Sequence, residues 1–71
     1  MKNTFYKPIQ RCYFDPDTNE MKFGRFIARG QWANGNLAYT RCDMAGQPLS
    51  EEDDCTWVQT RYDGKLCMFH I

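Results

Sequence analysis

Two Asx-Gly dipeptides, Asn34-Gly35 and Asp63-Gly64, each lie between runs of extended-preferring residues. Both positions of such a pair tolerate the positive φ of a type I′ turn, the turn whose twist matches a β-hairpin. A third reversal is written in DPDTNE at 15–20, where Pro16 presets φ and Asp15 and Asn19 can bond back to their own backbone. Three reversals in 71 residues leave room only for short elements. No helical period of useful length competes with them, so the chain is expected to be all-β.

The expected strands follow from the reversals. Strand one covers 4–14, with Pro8 suited to an edge or a strand break. Strand two runs from 20 to 32 and changes phase once: Met21 and Phe23 are odd, whereas Phe26, Ala28, Gly30 and Trp32 are even. Keeping all six on one face requires an inserted residue, and a bulge is predicted at Gly24-Arg25. A two-residue turn at Asn34-Gly35 sets Trp32 opposite Leu37, Gly30 opposite Tyr39 and Ala28 opposite Arg41, with strand three at 36–43. MAGQPLSEEDD is a loop, and Ser50 followed by Asp53 predicts one short helical turn at 50–54. Strands four (55–62) and five (65–71) form the last hairpin. Its expected core face carries Thr56, Val58, Thr60, Tyr62, Cys67, Phe69 and Ile71; Cys55, Trp57, Gln59, Arg61, Leu66, Met68 and His70 take the other. The expected architecture is a single domain over 1–71, a five-stranded antiparallel meander curled into a small SH3-like or OB-like barrel.

Leu, Ile and Val are scarce, but eleven residues are Phe, Tyr or Trp. Each aromatic buries about 150–250 Å² when enclosed, so the expected core is aromatic, with Met and Cys filling gaps. Cys12, Cys42, Cys55 and Cys67 are separated by 30, 13 and 12 residues, without the close pairs of a zinc site. Cys67 and His70, three apart on a strand, face opposite sides. In an oxidising compartment the four could pair in any of three connectivities; nothing in the chain indicates such a compartment, so reduced, buried cysteines are expected, with no metal and no cofactor. No apolar stretch approaches the roughly 20 residues of a membrane span, and MKNTFYKPIQR lacks the apolar centre of a secretory signal. A soluble, cytoplasmic chain without membrane contact is the expectation.

Catalysis finds few candidates. The one histidine, His70, is penultimate, where fraying spoils geometry. No phosphate-cradling glycine loop and no HExxH occurs. The chain is expected not to be an enzyme. Nine cations balance nine acids overall, yet residues 1–49 hold seven cations against four acids and residues 50–71 hold two against five. The acids gather in Glu51, Glu52, Asp53 and Asp54, which can meet a basic groove on a partner or a basic face of this molecule. Trp57, Arg61 and Met68 on the last hairpin are of types enriched at interface hot spots. These seven residues are the expected contacts of a protein-binding module. A compact chain of this kind suggests a phage or mobile-element accessory protein that inhibits or modulates a host enzyme or defence complex; a homodimer through a strand edge is also open.

The alternative is single-stranded nucleic acid. MKFGRFIARGQW interleaves cations and aromatics, and Lys22, Arg25, Arg29 and Arg41 would track a backbone while rings stack on bases. Within it KFGRFI distantly resembles, over six residues, a Lys-Gly-Phe-Gly-Phe-Ile strand of cold-shock domains, which are barrels of about this length. That resemblance implies single-strand binding; the family's second aromatic motif has no recognisable counterpart in this chain.

Overall fold

Asp15 opens the first reversal by accepting from the N–H of Asp17 (2.9 Å) through its side chain and from that of Asn19 (2.7 Å) through its carbonyl. In the computed structural model, which describes residues 7–71, it joins β1 (Ile9–Asp15) to β2 (Glu20–Gln31). Expected strand one begins at 4, so its first three residues lie outside the described residues. β3 (Leu37–Arg41), a 3-10 turn (Glu51–Asp53), β4 (Trp57–Tyr62) and β5 (Lys65–His70) complete the chain. The strands close in sequence order into one barrel. Five strands running alternately up and down leave the first and last pointing the same way, so the closing seam is parallel: Cys12 lies beside Cys67 and Tyr13 beside Met68.

The last hairpin has the expected turn. Asp63 (φ 53°) and Gly64 (φ 78°) are both left-handed, and Tyr62 pairs with Lys65. Ser50 caps the 3-10 turn at the expected place, its side chain accepting from the N–H of Glu52 at 3.1 Å.

Two details of β2 and β3 differ from expectation. The Asn34-Gly35 reversal is a three-residue loop: the Gly35 N–H donates to the Trp32 carbonyl (2.9 Å) and the Trp32 N–H to the Asn36 carbonyl (2.7 Å), with Gly35 at φ 95°. Only Gly35 needs the left-handed conformation, as in a type I turn followed by a bulge. The predicted bulge is at Arg29 instead, between Ala28 and Gly30, and the β1–β2 ladder passes Gly24 without interruption. Together these shift the register, so Gly30 meets Ala38 and Ala28 meets Tyr39. No insertion is needed at Gly24 because Met21 and Phe23 point outward, 43% and 71% exposed, while Phe26 and Ala28 point inward.

The interior is aromatic, as the composition implied. Tyr13, Phe26 and Trp57 meet edge to face with ring centres 5.3–5.6 Å apart, alongside Ala28, Tyr39 and Met68. This reverses the expected faces of the last hairpin except at Cys67, which is buried as expected (1% exposed). Trp57 (1% exposed) and Met68 (0%) fill the barrel, whereas Tyr62 (48%) and Ile71 (68%) are on the outside. A five-stranded interior is narrow, and the rings from β1 and β2 leave a gap that a Trp and a Met fill.

The cysteines need correction too. Cys12 and Cys67 form a disulfide across the parallel seam, with Cα atoms 5.0 Å apart. Cys42 and Cys55 are unpaired. Burial, reinforced by Asp43, pushes the Cys42 thiol pKa up, so it stays protonated.

Candidate docking surface

The acidic turn meets basic side chains of its own chain. Asp53 lies 3.8 Å from the Arg41 guanidinium and 3.6 Å from Nε2 of His70, and Asp54 lies 3.9 Å from Arg29. Buried Thr40 fixes the turn: its hydroxyl donates to Asp54 (3.0 Å) and accepts from the N–H of Cys55 (2.7 Å). Arg41 in turn lies over the Tyr13 ring at 5.0 Å, and His70 packs against Trp57 at 4.9 Å. Of the two destinations open to the acids, a basic face of this molecule receives Asp53 and Asp54. Glu51 and Glu52 remain exposed.

The other expected contacts separate. Arg61 is exposed, but Trp57 and Met68 are in the core and present nothing to a partner. Among the cations expected to track nucleic acid, Lys22 binds Asp15 at 2.8 Å, and Arg29 and Arg41 face Asp54 and Asp53. Arg25 forms no salt bridge among the described residues. His70 and Cys67 face opposite sides as their spacing required, and Cys67 is committed to the disulfide.

Met21, Phe23 and Tyr62, all expected on the core side, are exposed on the outside of the barrel. Side chains alternate in and out along each strand, so the inward Tyr13, Phe26, Trp57 and Met68 leave exposed Phe23 and half-buried Phe14, Val58 and Phe69 on the outer side. The ladders arrange these into rows. Phe23, Cys12, Cys67 and Thr60 form one across β2, β1, β5 and β4. Met21 beside Phe14, and Phe69 beside Val58, form the next. Phe14, Phe69 and Tyr62 cluster with ring centres 5.6–5.9 Å apart. The signal was present in the sequence: with Phe26 and Ala28 inside, simple alternation already places Phe23 and Met21 outside.

A separate groove of about 250 Å³ lies where β3 and β4 diverge, lined by Gly35, Asn36, Leu37, Tyr39 and Gln59. Its lining includes none of the expected contact residues. Compared with known proteins, the chain matches no family model, no curated protein and no solved structure.

Proposed function

We propose that the chain is a small non-enzymatic protein-binding module that docks through the outer aromatic face of β2, β1, β5 and β4. The observation that carries this reading is the exposure of Phe23 and Met21 beside the Phe14, Phe69 and Tyr62 cluster. Contiguous exposed apolar surface marks interaction sites, and aromatic and Met residues are enriched at interface cores. The nucleic-acid alternative is weakened because Lys22, Arg29 and Arg41 lie within 4.0 Å of acids in the same chain. A role as a phage or mobile-element accessory protein, inhibiting or modulating a host enzyme or defence complex, is part of the proposal and rests on size and compactness alone.

No helix among the described residues is long and apolar enough to cross a membrane. The Cys12–Cys67 pairing weighs against a cytoplasmic setting, since structural disulfides persist in oxidising compartments.

Capture of binding proteins by the parent chain and by a Phe23→Ser, Met21→Ser variant tests the reading, with circular dichroism confirming that the variant is folded. Loss of a captured protein in the variant supports it; equal capture by both rejects the face. Salt-sensitive shifting of single-stranded oligonucleotides, abolished by Arg25→Glu with Arg29→Glu, would put the alternative in its place.

A further inference from the structure

The five strands are joined unevenly. β1 and β2 pair from Ile9–Phe26 to Asp15–Glu20, β2 and β3 from Phe26–Arg41 to Gln31–Leu37, and β4 and β5 from Trp57–His70 to Tyr62–Lys65. Between these two groups the ladders are short. Among the described residues, Ala38–Val58 and Tyr39–Trp57 join β3 to β4, and Cys12–Cys67 and Tyr13–Met68 join β1 to β5. The barrel is therefore a three-stranded meander, β1 to β3, and a hairpin, β4 and β5, stitched along two seams. Arg11 donates to the Gln59 side chain at 2.9 Å, and His70 lies 3.6 Å from Asp53, adding polar ties to the hairpin. The covalent tie is the Cys12–Cys67 disulfide, since Cys42 and Cys55 are unpaired. The connecting 3-10 turn belongs with the meander: Thr40 of β3 donates to Asp54 and accepts from the N–H of Cys55. The chain can pivot only beyond that anchor, where Thr56 enters the hairpin.

We propose that the Cys12–Cys67 bond is a redox latch, whose reduction lets the β4–β5 hairpin swing out of the barrel while the β1–β3 meander stays folded. Three strands with an apolar face can hold together, whereas an isolated two-stranded hairpin is marginal in water. Cys12 is half-buried and Cys67 is 1% exposed, so a dithiol reductant attacks at Cys12. Its thiolate forms a mixed disulfide with the Cys12 sulfur, and the Cys67 sulfur leaves and takes up a proton. The second thiol of the reductant then closes the reductant's own disulfide and releases Cys12 as a thiol. Two electrons and two protons pass to the chain. Without the bond, each seam depends on its short ladder and on the packing of Trp57 and Met68 against Tyr13 and Phe26. Opening also parts Phe14 of β1 from Tyr62 and Phe69 of the hairpin, so the outer aromatic face is whole only in the oxidised chain. That control over docking rests on the reading of the face as a docking surface; the opening itself does not.

Amide hydrogen exchange of the full chain, followed residue by residue by NMR with and without a dithiol, tests the latch. Reduction should lower protection in β4 and β5 about thirtyfold or more beyond any loss in β1 and β2, the low end of what a cross-link contributes. Reoxidation should restore it. Cys12→Ser with Cys67→Ser should show the reduced pattern whether or not the dithiol is present. Equal loss of protection in all strands, complete unfolding included, overturns the latch, because the barrel then opens as one unit. So does unchanged protection in β4 and β5 once alkylation shows Cys12 and Cys67 free, or a double variant that still responds to the dithiol. If that variant does not fold while the reduced parent shows the selective loss, the parent decides in favour of the latch. None of these readouts involves a partner, so failure of the latch is distinguishable from failure of the docking reading, which the Phe23 and Met21 variant tests.

Discussion

Gly24 is kept a glycine by the ring of Tyr13. A Cβ built there would sit 2.8 Å from Cε1 of that ring, closer than real contacts allow. Tyr13 cannot swing aside, because Phe26 and Trp57 hold it edge to face. Gly24→Ala is therefore expected to destabilise the barrel by about 1–3 kcal/mol, the usual range for overpacking. An unchanged denaturant midpoint would contradict this. A second residue-scale effect concerns pH. The ammonium of Lys22, with help from the Asp17 N–H, holds the Asp15 carboxyl below its ordinary pKa. A depressed carboxylate contributes stability above its unfolded pKa of about 3.9 and loses it as pH falls through the folded value. The melting temperatures of the parent and Asp15→Asn should thus converge as pH is lowered from about 5 to below the folded value. A gap that stays constant would show that the pair does nothing for the fold.

At the scale of elements, the last hairpin illustrates how far local pattern reaches. Asp63-Gly64 set its turn and register correctly, since both depend on backbone preferences of adjacent residues. Its inner and outer faces came out reversed, because both carry apolar residues and counting them cannot say which one the barrel encloses. Trp57 shows the consequence. Read as an exposed contact, it would be replaceable at little cost; buried against Tyr13, Phe26 and His70, it should cost about 3–5 kcal/mol on truncation to Ala. Thermal unfolding of Trp57→Ala decides the matter, and a loss of partner binding with full stability would favour the surface reading. The β2–β3 hairpin erred in a smaller way. Asn34-Gly35 fits both a two-residue and a three-residue loop, and the β2 bulge at Arg29 moved the register one residue further.

For the whole molecule, the seam between β1 and β5 is the part most dependent on distant residues. Among the described residues its ladder contains just the Cys12–Cys67 and Tyr13–Met68 pairs, whereas β1 and β2 are paired from Ile9 to Asp15. A disulfide closing a loop across 55 positions removes denatured-chain entropy worth about 4 kcal/mol. Cys12→Ser with Cys67→Ser should lower stability by about that amount, and reductant should lower the parent's melting temperature while leaving the double variant's unchanged. Intact mass after alkylation provides the check: four alkylated thiols in oxidised, unfolded protein would refute the pairing.

The all-β class, three of the reversals, the capped turn at 50–54 and the aromatic character of the core were legible in the chain itself. Each rests on preferences of neighbouring residues or on composition, which need no knowledge of what packs where. The disulfide, the inward turn of Trp57 and Met68, the salt bridges of Asp53 and Asp54, and the outer aromatic face were decided only by closure of the barrel. Closure is a relation between strands far apart in the sequence: it brings β5 beside β1, and with them the partners that no local spacing could name.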